Sequence, residues 1–248
     1  MTRANVMADG VSDWVFNYFS TRSHDLTPES LRRAAQVLYV PVAHDPNVTR
    51  LCAAVLQGAE LQRAERFAAH GDRALFIQRR AFRRFCGALA LGSSQSLSQI
   101  NFDQSENGRP WLADLPDVWF GFSSCRLGFL GAWSSTHGIG VDIEDPTRDL
   151  EAIELARQFF SAAEARTVEG RFGSANFQAF FQLWCLKEAA LKSIGEGLPF
   201  GLDAFEFELG ADLRVVKAPP VSGGRERFQA HSIEGTDGYA ALVMRELS

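Results

Sequence analysis

The chain has 248 residues, 25 basic and 30 acidic side chains for a net charge of −5, and a pI near 5.6. With 46% hydrophobic and 22% charged residues it can bury a core, which excludes disordered and collagen-like classes, and its mild acidity disfavours a general nucleic-acid binder. The length allows one large domain or two small ones.

The first dozen residues are polar and contain no apolar signal-peptide core, and no stretch reaches the roughly 18 apolar residues that a membrane helix needs. Cys52, Cys86, Cys125 and Cys185 are scattered with no CxxC pair, the pattern of reduced thiols and not of a zinc site or a disulfide framework. A soluble cytoplasmic protein is expected. The aromatic run Trp14 to Phe19 predicts a strand, and Thr27-Pro28-Glu29 a helix start with Thr as cap and Pro at the first position. Leu61 to Leu91 carries a long helical period, which His70-Gly71-Asp72 is expected to break into two helices.

From residue 101 the texture changes to short β-like runs. Asn107-Gly108-Arg109-Pro110 reads as a turn, Val118 to Ser123 and Leu127 to Trp133 as paired strands, and Val141 to Glu144 as another strand closed by Asp145-Pro146. Helical patterns return over Asp149 to Gln158, Ala162 to Glu169 and Phe177 to Ile194, the last ending at Gly195 as a C-cap glycine. Three more strands are predicted over Ala204 to Leu209, Phe228 to Ile233 and Tyr239 to Arg245. Strands and helices mix without strict alternation, so the fold class is α+β, with a boundary near 137–140 dividing the chain into two unequal units.

Asp142 and Glu144 are two apart on a predicted strand, so both leave one face while Val141 and Ile143 take the other. Glu188 sits on the following long helix. If helix and strand pack together, three carboxylates converge, a donor set that suits Mg²⁺ completed by water and substrate phosphates. Spacing alone is a weak signal, and solvated acids at a strand end are the simpler account. Lysine usage shifts the balance: only Lys187, Lys192 and Lys217 are lysines, and two of the three lie in this helix. Glu188 and Lys192 are i,i+4 neighbours, whereas Lys187 and Lys192, five apart, need not share a face. Arg63, Arg66, Arg73, Arg79, Arg80, Arg83 and Arg84 form a cluster opposed only by Glu65 and Asp72 between residues 61 and 84, either a solvated helix face or a surface for an anionic ligand or acidic partner. Ser123-Ser124-Cys125 lacks the Gly-x-Ser-x-Gly surroundings of a hydrolase nucleophile, and none of the five histidines is spaced to serve it.

These motifs resemble the surfactin-type 4′-phosphopantetheinyl transferases. The match rests on Gly138-Ile139-Gly140-Val141-Asp142-Ile143-Glu144 and on Trp184-x-x-Lys187-Glu188-x-x-x-Lys192. It is supported by Gly108-Arg109-Pro110, Phe120 to Cys125, Arg157-Gln158-Phe159-Phe160-Ser161 and Gly195-x-Gly197-Leu198, together about residues 60 to 205. The resemblance implies two similar α+β halves related by a pseudo-twofold axis, 1–138 contacting coenzyme A and 139–248 carrying the metal-binding and catalytic motifs, with the active site in the cleft between them. It implies Asp142 and Glu144 as Mg²⁺ ligands and Glu188 as a further ligand or the base for the attacking serine, with Glu188, Asp142 and Lys192 in catalysis. Arg63, Arg73, Arg109, Ser123, Ser124, Lys187 and Lys192 are implied as coenzyme A contacts.

The chain departs from the family at Gly121, Ser124 and Cys125, where the family has Asn, His and Ser. Ser124 removes a histidine contact to a phosphate, a charge-assisted bond of about 1.5–3 kcal/mol, roughly ten- to hundredfold in affinity, with neighbouring arginines as the available compensation. The family's Arg-Thr pair is also not clean, Arg73 being the nearest basic residue. The implied reaction moves phosphopantetheine from coenzyme A to a serine of an apo acyl, peptidyl or aryl carrier protein and releases 3′,5′-ADP, in a monomer with no nucleic-acid or membrane partner. The alternatives are a degenerate homologue that binds coenzyme A or carrier protein, and a Mg²⁺-dependent nucleotide phosphohydrolase.

Overall fold

The computed structural model describes residues 10–92, 95–170, 173–195, 201–210 and 213–247. The aromatic run near the start is helix α1 (Gly10–Arg22), not a strand. Its burial repeats every four residues, with Val15 and Phe19 inside, and Trp14 stacks on Tyr18 at 5.3 Å. Phe19 meets Phe82 and Phe85, so packing overrides the β-preference of aromatic residues. After β1 (His24–Asp25), residues Glu29–Leu31 make only a 3₁₀ turn, because the Thr27 hydroxyl accepts from the Val37 amide at 2.8 Å instead of capping a helix. Strand β2 (Gln36–Pro41) has no counterpart in the sequence reading: four successive residues are buried, so no polar alternation betrays it.

Helix α2 (Pro46–Ala53) starts at Asp45, whose carboxylate accepts from the Asn47 amide at 2.9 Å. α3 (Gly58–Glu65) and α4 (His70–Leu91) are separate helices as expected, but the break lies before His70, and His70-Gly71-Asp72 forms the first turn of α4. Gly92 ends α4 in the left-handed region. Short β3 (Asp103–Gln104) and β4 (Pro110–Trp111) flank the Asn107-Gly108 turn, followed by β5 (Trp119–Ser124), β6 (Gly128–Ser134) and β7 (His137–Glu144). α5 (Ala152–Phe159), α6 (Ala162–Val168) and α7 (Phe177–Ile194) follow the predicted helices closely. The chain then forms β8 (Glu206–Glu208), β9 (Arg214–Lys217), β10 (Phe228–Ile233) and β11 (Tyr239–Glu246). The Gly197-Leu198 part of the family tail lies outside the described residues.

Two larger antiparallel sheets result, one ordered β1-β2-β6-β5 and the other β10-β11-β7, beside the two-stranded pairs β3-β4 and β8-β9. α4 lies on the first sheet and α7 on the second, so the α+β class holds and each sheet carries one long helix. Strand alternation builds a third core between the sheets. Leu130 and Ala132 of β6, Ile139, Val141 and Ile143 of β7, and Leu242 and Met244 of β11 meet there. Ala241 and Val243 of β11 face α7 instead. The Tyr39 hydroxyl, donating to Asp237 at 2.7 Å, ties β2 to the β10–β11 turn. All four cysteines are free, and no described helix is long and apolar enough to cross a membrane.

Close backbone approach seats α7. A Cβ on Gly140 would collide with the Ala189 carbonyl oxygen and the Ser193 amide, and one on Gly138 with the Ser193 carbonyl. Gly140→Ala is therefore expected to cost about 1–3 kcal/mol or more by forcing α7 off the sheet. Denaturant unfolding measures this, and an unchanged midpoint would contradict so tight a seam. A Cβ on Gly121 would press less severely, at 3.2–3.3 Å, on the β7 backbone at residues 139–141.

Candidate active site

β7 turns its polar face toward α7, and the site begins there. Asp142 is 4% exposed. Its Oδ1 accepts from Ser123 Oγ at 2.7 Å and from Lys192 Nζ at 2.6 Å, and Lys192 also donates to the Val141 carbonyl at 3.2 Å. Burial alone would lower the Lys192 ammonium, but the charge and hydrogen bond of Asp142, with Glu188 nearby, hold it above the usual lysine range. Glu144, on the same face of β7, pairs with Arg148 at 2.6 Å; burial pushes its carboxyl up, Arg148 opposes this, and the charge of Asp142 adds to it.

Glu188 stands one turn before Lys192 on α7, half-buried, with no hydrogen-bond or ion-pair partner among the described residues. Burial raises its carboxyl most, Lys192 partly offsets this, and Asp142 and Glu144 raise it further. The charges of Asp142 and Glu144 thus act on Glu188, and that of Asp142 on Glu144. Among the described residues, however, no group of three or more His, Cys, Asp or Glu side chains is arranged to hold a metal ion. Lys192 occupies one oxygen of Asp142 and Arg148 one of Glu144. What fits a hard divalent cation is Asp142 Oδ2, buried without any hydrogen-bond partner beside two carboxyls of raised affinity for protons.

A cleft of about 250 Å³ opens beside this cluster, lined by Glu188, Leu191, Lys192 and Gly195 of α7 and its cap and by Arg83, Gly108, Arg109, Phe120 and Phe122. Arg109 is fixed with its guanidinium 4.1 Å over the Trp119 ring, and burial lowers its pKa. Ser123 reaches Asp142, while Ser124, the next residue on β5, accepts from Arg79 at 3.4 Å.

Three expected ligand contacts, Lys187, Arg73 and Arg63, do not line the cleft. Lys187 is fully buried: it pairs with Glu164 at 2.7 Å, donates to the carbonyls of Leu202 and Phe205 at 3.1 and 2.6 Å, and lies over the Phe160 ring. One residue along a helix is a rotation of about 100°, so the neighbour of Glu188 points into the hydrophobic interior and not into the cleft. Arg73, in the first turn of α4, is exposed beside a different depression that it shares with His44, His70 and Arg126. Arg63 is exposed on α3, its guanidinium 5.7 Å over the Phe76 ring that Arg79 and Arg80 also approach, and it does not line the cleft. The arginine that does is Arg83. Its register on α4, one turn after Arg79, was the available signal.

The family model described as the 4′-phosphopantetheinyl transferase superfamily matches residues 138–243. That range takes in Asp142, Glu144, Lys187, Glu188 and Lys192, while Arg63, Arg73, Arg109, Ser123 and Ser124 precede it. The chain is 35% identical over 146 residues to 4′-phosphopantetheinyl transferase Sfp of Bacillus subtilis, covering 59% of this chain and 63% of that protein. It is 32% identical over 154 residues to a putative 4′-phosphopantetheinyl transferase of Synechocystis, covering 60% and 61%. Against 4′-phosphopantetheinyl transferase HetI of Nostoc it is 32% identical over 164 residues, 64% of this chain and 68% of that protein. The chain belongs to the 4′-phosphopantetheinyl transferase superfamily. It matches less than two thirds of the length of the Bacillus and Synechocystis relatives. Within the superfamily match, β7 and α7 bring Asp142 against Lys192 and near enough to Glu188, 46 positions on in sequence, for its charge to raise the Glu188 carboxyl.

Proposed function

We propose that the protein transfers 4′-phosphopantetheine from coenzyme A to a serine of an apo acyl or peptidyl carrier protein, releasing 3′,5′-ADP. The observation that carries this reading is the cleft that Glu188, a carboxylate with no hydrogen-bond or ion-pair partner among the described residues, lines together with Lys192, Arg83 and Arg109, with the charge of the buried Asp142 acting on it. The superfamily membership supports the same chemistry, and the relatives named above are called 4′-phosphopantetheinyl transferases.

In this reading Glu188 accepts the proton of the carrier serine hydroxyl. The serine oxygen then bonds to the phosphorus that carries pantetheine, and the bond to the bridging oxygen breaks, its electron pair leaving with 3′,5′-ADP. Lys192 and Arg109 bind phosphate oxygens, while Ser123 fixes the Asp142 carboxylate from β5. Asp142, Glu144 and Glu188 would hold Mg²⁺, which when bound offsets charge on the coenzyme A diphosphate. The division of labour follows the two sheets, residues 1–138 contributing coenzyme A contacts and 139–248 the acids and Lys192. The setting proposed is a cytoplasmic monomer.

Incubation with coenzyme A, Mg²⁺ and a panel of apo carrier proteins, read by intact mass, tests this. One phosphopantetheine gained per carrier, and lost when EDTA is added, is the expected result. Coenzyme A binding without gain on any carrier would instead make the protein a non-catalytic homologue, and phosphate release without a carrier would make it a phosphohydrolase.

A further inference from the structure

Arg109 differs from other arginines near the cleft in what holds it. Arg80 and Arg84 of α4 are answered by Glu60 of α3, at 3.7 and 2.6 Å. Arg109 has no carboxylate or side-chain hydrogen-bond partner among the described residues, and burial is what lowers its pKa. Its backbone is fixed by the turn before β4: the amide donates to Ser105 Oγ at 3.1 Å, and the carbonyl accepts from the Ser105 amide at 2.9 Å. What meets the guanidinium is the indole of Trp119, 4.1 Å away.

That indole is itself seated by two glycines. Gly195, the cap of α7, has φ 71°. A Cβ there would lie 3.4 Å from Trp119 Cζ3 and 3.3 Å from Arg109 Cδ, so ring and arginine stem both rest against the cap. A Cβ on Gly138 of β7 would lie 3.6 Å from Trp119 Cε3. Arg245 of β11, opposite Gly138 in the strand register, stands 5.8 Å over the same ring, and Trp119 also packs on the core between the two larger sheets. The first residue of β5 therefore joins β7, the end of α7 and the Arg109 side chain at one point.

A guanidinium lying over an aromatic face keeps its N–H edge for other partners, and that edge is the fork that grips phosphate oxygens. Arg109 lines the cleft beside Lys192 and Glu188. A free arginine side chain loses rotamer freedom when it grips a ligand, and one already held against a ring loses less. We propose that Trp119 is a positioning residue, which holds the Arg109 guanidinium oriented in the cleft before coenzyme A arrives and makes arginine, not lysine, the cation that serves at position 109. This rests on coenzyme A being the co-substrate.

Calorimetric titration with coenzyme A and steady-state transfer to an apo carrier protein test it in the unaltered protein, W119F, W119L, R109K and W119L/R109K. W119L is expected to weaken coenzyme A binding and raise its KM about three- to thirtyfold, with kcat within about twofold of the unaltered protein. W119F, which keeps an aromatic face, is expected to recover most of that loss. R109K is expected to weaken binding in the unaltered protein and to add little in W119L, because the plane has then lost the surface it lies on. Should W119L fail to fold, W119M, whose flexible side chain fills the space, takes its place. Unchanged affinity in W119L, losses that simply add in W119L/R109K, a W119F as impaired as W119L, or a fall in kcat at level KM would each overturn the positioning role while leaving the co-substrate in place. Failure of the unaltered protein to bind coenzyme A would overturn the co-substrate reading and the role of Trp119 with it.

Discussion

Glu188→Gln lowers transfer to a carrier protein by about 10²–10⁴-fold and leaves coenzyme A affinity within about threefold of the unaltered protein. The substitution keeps the shape of a side chain that has no hydrogen-bond partner among the described residues, so it removes a proton acceptor without breaking a contact. Burial and the neighbouring acids raise its proton affinity above that of an ordinary carboxylate, which favours a group that must take a proton from a serine hydroxyl. Glu188 is also a candidate cation ligand, and metal titration separates the two roles. If its part is proton acceptance, raising Mg²⁺ or Mn²⁺ restores nothing in the variant. Recovery of most turnover at high metal would assign it to cation binding alone, and unchanged turnover without added metal would remove it from the chemistry.

Lys187→Met is the second large effect, and it is an effect on stability. The substitution strands Glu164, 2% exposed, without its cation. Breaking one side of such a pair costs about 3–5 kcal/mol, because the remaining charge stays buried. In a chain of this size that corresponds to a fall in thermal midpoint on the order of 10 °C. Glu164 also accepts from the amides of Ser161 at 2.9 Å and Phe207 at 2.9 Å, so the pair fastens α6, α7 and β8 together. In the double variant K187M/E164Q the loss is expected to be smaller than the sum of the two single losses, the signature of a coupled pair. A K187M protein with an unaltered midpoint but weakened coenzyme A binding would return Lys187 to the ligand and undo the correction made above.

Much of the second half could be read from the sequence because local signals there agree. α7 runs from its Asn176 cap, whose side chain accepts from the Ala179 amide at 3.1 Å, to Gly195 with φ 71°, and its bounds match the 3.6-residue pattern. The placement of Asp142 and Glu144 on one face of β7 followed from strand alternation. The first half was less legible for identifiable reasons. α1 is spelled in residues that favour strands and is helical because Val15 and Phe19 reach the same core. β2 is buried along its middle and so shows neither period. The sorting of the α4 arginines depends on where Glu60 lands from another helix, a long-range fact that no local pattern encodes. Arg73 is the basic residue nearest in sequence to the family's Arg-Thr pair, but its place in the first turn of α4 puts it at another depression.

The glycine seam has a consequence for how such a molecule changes over time. Asp142 on β7 and Glu188 and Lys192 on α7 are gauged against one another through a backbone contact that admits no side chain at Gly138 or Gly140. Arg79 and Arg83 stand on α4 and Arg109 in the β3–β4 turn, and none of the three takes part in that contact. Substitution at those cations can therefore proceed without disturbing the spacing of Asp142, Glu188 and Lys192. A mutational library aimed at new co-substrates belongs at those three arginines, and one that strays into the seam will return mostly unfolded protein.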